Sequence, residues 1–114
     1  MKNYNLNILG TKWRLKEVSR DSDPMFGTVD GFTDRSSKTM YVANESIVEP
    51  GAFMNWPEYM KSVKRHEIIH AFMLESGLAQ ETYHPPYGAD EQAVDFFAIQ
   101  FPKMLEVFKK AEAI

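Results

Sequence analysis

An α+β domain is what this sequence predicts: a small antiparallel sheet followed by two helices, with residues 1–114 as a single unit. Three observations carry that expectation. Polar and apolar residues alternate between positions 5 and 43, the period of a half-buried strand. Apolar residues recur at helical spacing after Asn55, which stands three residues before Glu58 in the pattern of a capping box. Proline and glycine cluster at Pro50–Gly51 and in "GLAQETYHPPYG", where they break both patterns.

The first two strands are "YNLNIL" and "KWRLKEV", with Trp13, Leu15 and Val18 facing inward and Gly10 marking a bend or bulge between them. "RDSDP" is a loop. "GTVDGF" and "KTMYVAN" are two further strands, joined through "TDRSSK", which is rich in turn residues. "ESIVEPGAFMN" is an irregular connection. The first helix starts behind Asn55, with Pro57 in its first turn, and runs to Gly77 at its C-terminal end. Asp90 can cap the second, "EQAVDFFAIQ". Pro102 then predicts a kink, or a fresh helix running through "KMLEVFKKAEA".

Composition narrows the function. Hydrophobic residues make up 44% of the 114, enough for a real core, and 114 residues suit one domain. The formal charge of −3 supplies no basic field to draw the chain to nucleic acid. No stretch approaches the ~20 apolar residues that span a bilayer. A signal peptide's apolar core is absent from "MKNYNLNILG", so the expectation is a cytoplasmic protein. There is no cysteine. Any metal must therefore be held by nitrogen and oxygen ligands.

The informative stretch is "RHEIIH", residues 65–70, which uses two of the three histidines. His66 and His70 are four apart on the first helix, so both imidazoles lie on one face. Two imidazoles so placed reach a single zinc at about 2.0–2.1 Å. Glu67 sits beside the first of them, where it can take a proton from zinc-bound water. The competing reading is an ordinary helix with hydrogen-bonded histidines. Tyr59, Val63, Met73 and Leu74 share the histidine stripe, and "IIHAFML" reads as buried nearly all round. An ionised Glu67 beside such a run is costly unless a cation, a donor or water meets it. An exposed Glu67 on the outer edge is the alternative.

A catalytic zinc takes three protein ligands and one water. The candidates for the third are Glu75, Glu81, His84, Asp90, Glu91 and Asp95. Glu75 points about 140° away from His70 at 100° per residue. Glu81 and His84 sit in a loop. Glu91 is the best placed: Val94, Ala98, Phe101 and Leu105 form an inward stripe on the second helix, and Glu91 and Asp95 continue it as two inward carboxylates. Such carboxylates want a metal, an imidazole or an arginine. Glu91 on zinc satisfies the first. Asp95 accepting from the far nitrogen of a bound histidine satisfies the second. The competing reading for Glu91 is a favourable charge at a helix N-terminus.

"HEIIH" followed by "EQAVD" resembles the gluzincin arrangement, H-E-x-x-H on one helix and E-x-x-x-D on the next. "EQAVDFFAIQFP" is also similar to the glutamate helix of the ImmA/IrrE family of zinc peptidases, with Asp95 where that family usually has asparagine. The resemblance is specific over residues 62–102 and vague over 1–50. It implies a minimal zincin-like hydrolase of the kind encoded by phages and mobile elements. In that reading His66, His70 and Glu91 bind Zn2+, Asp95 supports a ligand histidine, and Glu67 is the general base of a metalloprotease.

The substrate expected is a protein or peptide, added as an extra strand along "KTMYVAN". A donor for the oxyanion is expected from Tyr83, His84 or Tyr87, each of which also reads as a packing or turn residue beside Pro85 and Pro86. No partner in nucleic acid or membrane is expected, and nothing in the residues specifies an oligomeric state. Two other functions compete. One is a catalytically inactive binding or regulatory protein of the same fold with a structural zinc. The other is a metal-free interaction domain.

Overall fold

The structure, a computed structural model, describes residues 2–46, 54–77 and 91–114. Its elements are strands β1 (Lys2–Ile8), β2 (Thr11–Val18), β3 (Gly31–Asp34) and β4 (Thr39–Ala43), followed by helices α1 (Trp56–Ser76) and α2 (Glu91–Lys110). The architecture is α+β, as expected. No helix among the described residues is long and apolar enough to cross a membrane.

The sheet departs from expectation in one respect: it is mixed, not antiparallel. The strand order is β1-β2-β4-β3. β1 and β2 form an antiparallel hairpin in which Ile8 faces Thr11. The two residues between them, Leu9 and Gly10, both have positive φ, so Gly10 belongs to a two-residue hairpin turn and not to a bulge. After β2 the chain makes two short 3-10 turns, Arg20–Ser22 and Pro24–Gly27. It then enters β3 two strand positions from β2, leaving a gap one strand wide. β4 folds back antiparallel to β3 and fills the gap, so it lies parallel to β2, with Leu15 opposite Met40. The strand expected over "GTVDGF" is therefore shorter and later, because Gly27 closes a 3-10 turn. "KTMYVAN" is an inner strand rather than an edge.

One face of the sheet carries α1. Trp13, Leu15, Met40 and Val42 are buried there against Val63 and Ala71. Phe26, Ala43 and Trp56 close the end where α1 begins. The caps match the sequence expectation: the Asn55 side chain accepts from the Glu58 amide, and Gly77 adopts the left-handed conformation at φ 89°. Glu17 shares the inward face with Trp13 and Leu15. It is satisfied by the Tyr4 hydroxyl at 2.8 Å and by the Lys64 ammonium.

α2 packs against α1 through Val94 and Ala98, both buried. It continues past Pro102 as one helix to Lys110, so of the two expected outcomes no fresh helix starts at Pro102. Two burial expectations are also corrected. Phe101 is exposed, not inward, and Phe72 in "IIHAFML" is exposed as well. Among the described residues, α1 is covered by the sheet on one side and by α2 on another.

Candidate metal centre

α1 brings His66 and His70 to one face, four residues apart, with ring centroids 4.8 Å from each other. Their Nε2 atoms stand 3.1 Å apart. Glu91, the first residue of α2, reaches both. One carboxylate oxygen lies 2.9 Å from His66 Nε2 and the other lies 2.9 Å from His70 Nε2. The three side chains thus offer ligand atoms all within 4.8 Å of one another. Ligands on a tetrahedral zinc at 2.0–2.1 Å are separated by about 3.3 Å. The observed spacings are a few tenths of an ångström tighter.

Asp95, one turn further along α2, sits on the far side of His66. Its Oδ1 is 2.7 Å from His66 Nδ1. An ionised carboxylate only accepts, so Nδ1 carries the proton. That leaves the Nε2 of a neutral ring with a lone pair, aimed at the other Nε2 and at Glu91. Protonating both Nε2 atoms instead would set two N–H donors 3.1 Å apart. One proton can bridge only two of these three groups, whereas two protons, one on each Nε2, would each face its own Glu91 oxygen. One cation can meet all three.

Glu67 is buried. Thr33 on β3 donates its hydroxyl to Glu67 Oε1 at 2.7 Å, and Oε2 lies 3.9 Å from His66 Nε2. Burial pushes the Glu67 carboxyl above its ordinary value, and the Thr33 hydrogen bond pulls the other way without cancelling it. The contact needs α1 to approach β3 closely, and Gly31 allows it. A Cβ at Gly31 would stand 2.9 Å from Val63 Cγ1 and 3.2 Å from Glu67 Cγ. Thr33 shares the face of Gly31 by the two-residue period of a strand.

These groups open into a cleft of about 920 Å³ between β3 and the two helices, lined also by Asp30, Tyr59 and Arg65. The side chains of Glu91 and Asp95 are more than half exposed. The expectation that they point into the core is corrected: they face the cleft from its rim, because α2 is buried only along Val94 and Ala98. Glu75, weighed as a ligand, lies elsewhere. It accepts from Thr11 and Trp13 and pairs with Lys38, whose hydrogen bond leads in holding its pKa below the usual value. Glu81, Tyr83, His84, Tyr87 and Asp90 lie outside the described residues, as does most of "ESIVEPGAFMN".

Sequence reasoning missed two groups that support the site. Thr33 carries no signal, since it sits in a turn-rich segment and acts across to another element. Arg65 donates from Nε to the Ala98 carbonyl, and Pro102 is a partial signal for that bond. The chain matches no family model, no curated protein and no solved structure.

Proposed function

We propose that this protein is a zinc-dependent endopeptidase of minimal zincin-like build. His66, His70 and Glu91 hold the metal, and Glu67 is the general base. The observation that carries the reading is the convergence of three ligand side chains on one point, while Asp95 accepts a hydrogen bond from His66 Nδ1–H on the far side of the ring. His66, His70 and Glu91 line a cleft that Glu67 also lines. Exposure of the Glu91 and Asp95 side chains favours a reactive centre over a closed structural one.

Zinc held by His66, His70 and Glu91 would supply a water of lowered pKa and would polarise a carbonyl. The chain's own residues do the rest. Glu67, held by Thr33, has one oxygen tied and the other turned toward the ligands. Its raised pKa suits a group that takes a proton and later gives it to the leaving amine. Asp95 keeps His66 in one tautomer. β3 is an edge strand and lines the cleft, so an extended peptide adds to β3 rather than to the inner "KTMYVAN" strand. Tyr83, His84 and Tyr87 are the candidates for an oxyanion donor.

Metal analysis of the purified protein tests the reading. One zinc per chain is expected. His66→Ala, His70→Ala and Glu91→Ala each lose tight binding, while His84→Ala keeps it. Zinc retained by Glu91→Ala and lost by His84→Ala would overturn the ligand set.

A further inference from the structure

Pro102 stands inside α2. It has no amide hydrogen, so the carbonyl of Ala98, four residues earlier, loses its helical donor. Ala98 is buried, and a buried carbonyl without a donor is costly. The missing donor comes from α1: Arg65 Nε–H donates to the Ala98 oxygen. Arg65 immediately precedes His66. Ala98 follows Asp95 by three residues and Glu91 by seven, on the same face of α2. One bond therefore links the neighbour of the first histidine to the helix that brings both carboxylates.

The site needs such a link. Glu91 and Asp95 have largely exposed side chains, so packing does not hold them in place. The helices meet through Val94 and Ala98, and apolar contact has no direction. A turn of α2 by one residue rotates its side chains by about 100° and would carry both carboxylates away from the histidines. A hydrogen bond between the helices is directional and resists that slip.

We propose that Arg65 is a positioning residue for the metal centre. It fills the carbonyl that Pro102 leaves open, and so sets the register of α2 against α1 that brings Glu91 and Asp95 to His66 and His70. The inference rests on the zinc reading, and Arg65 itself does not ligate the metal.

The test is zinc affinity, by competition with a chromophoric chelator, in wild type, Arg65→Met, Pro102→Ala and the double variant. Methionine keeps much of the apolar stem of arginine and removes the donor. Arg65→Met is expected to weaken zinc about 10-fold, the scale of an outer partner of a metal ligand. In the Pro102→Ala background, where the amide of residue 102 can serve Ala98, the loss should shrink to about 3-fold or less. A purely structural role would lower the melting temperature of the metal-free proteins without this coupling in affinity. Should Arg65→Met fail to fold, exchange of the Arg65 Nε–H by NMR gives the answer: slow in wild type, faster in Pro102→Ala. Unchanged affinity in Arg65→Met, equal losses in both backgrounds, or an Nε–H that exchanges as in free arginine overturns the inference. A wild type that binds zinc without this coupling overturns only the role of Arg65. A wild type that binds no zinc overturns the metal reading beneath it.

Discussion

Glu67 shows how much one buried carboxyl can report. Its folded pKa is raised, first by burial, above the ordinary 4.5. Below 4.5 the group is protonated whether the chain is folded or not, and burial then costs little. Between 4.5 and the raised value the unfolded chain ionises more readily, so stability falls as pH rises. Above that range the loss is constant. Glu67→Gln should therefore stabilise the metal-free protein at pH 7, with the advantage vanishing as pH drops below 4.5. Thermal melting across pH 3.5–8 checks it. A variant no more stable than wild type at pH 7 would mean that the ionised carboxylate is fully compensated by Thr33 and the histidines. Zinc should reduce the difference, since a cation beside the carboxylate favours its charged form.

The elements carry their own stresses. Leu9 holds φ at 52° in an exposed hairpin turn, a conformation that costs an ordinary residue about 1 kcal/mol. Leu9→Asn should recover much of that, a rise in Tm of roughly 4 °C, and a calorimetric scan reads it. Gly31 is under the opposite constraint. Gly31→Ala places a methyl 2.9 Å from Val63 and 3.1 Å from the Tyr41 carbonyl. The expected cost is about 1–3 kcal/mol, and denaturant unfolding measures it. The displaced face of α1 is the one bearing Glu67.

At this scale the sequence was legible wherever the signal was local. The Asn55 cap, the Gly77 stop, the inward Trp13 and Leu15 and the shared face of His66 and His70 follow from neighbours within a turn or a pleat. Strand order was not legible, because pairing of β4 with β2 is decided between segments 25 residues apart. The same holds for Thr33 on Glu67 and Arg65 on Ala98, which join separate elements. The fresh helix offered as one outcome at Pro102 does not form, and the group that serves the freed carbonyl lies on α1, beyond the reach of local signals.

Across the whole molecule, α1 is the shared wall. One side meets the sheet core, another meets α2, and the histidines lie in the cleft between β3 and α2. Lys64, next to the site in sequence, points the other way and ties α1 to Glu17. Burial raises the Glu17 pKa, but the Lys64 and Tyr4 hydrogen bonds and the Lys64 and Lys2 charges outweigh it and hold it below 4.5. Stability from this pair is therefore present above pH 4.5 and lost as pH falls through the lower folded value. Lys64→Met should cost about 2 kcal/mol at pH 7, by leaving Glu17 buried without its cation. The loss should shrink toward pH 3 and largely disappear in the double variant with Glu17→Leu. Urea unfolding at pH 7 and pH 3 checks both. A loss that does not change with pH would show that the lysine stem packs and its charge does little.

The central claim is that a reactive metal centre sits in this cleft with Glu67 as its base. The most direct test is cleavage of a denatured protein mixture by wild type, Glu67→Gln and chelator-treated protein, with bound zinc assayed in each. Glutamine keeps the size of glutamate and cannot accept the proton. The account predicts that Glu67→Gln binds one zinc per chain, as wild type does, and loses at least about 10²–10⁴-fold in turnover, and that the chelated protein is inactive. Equal cleavage by wild type and Glu67→Gln at equal zinc content would contradict it.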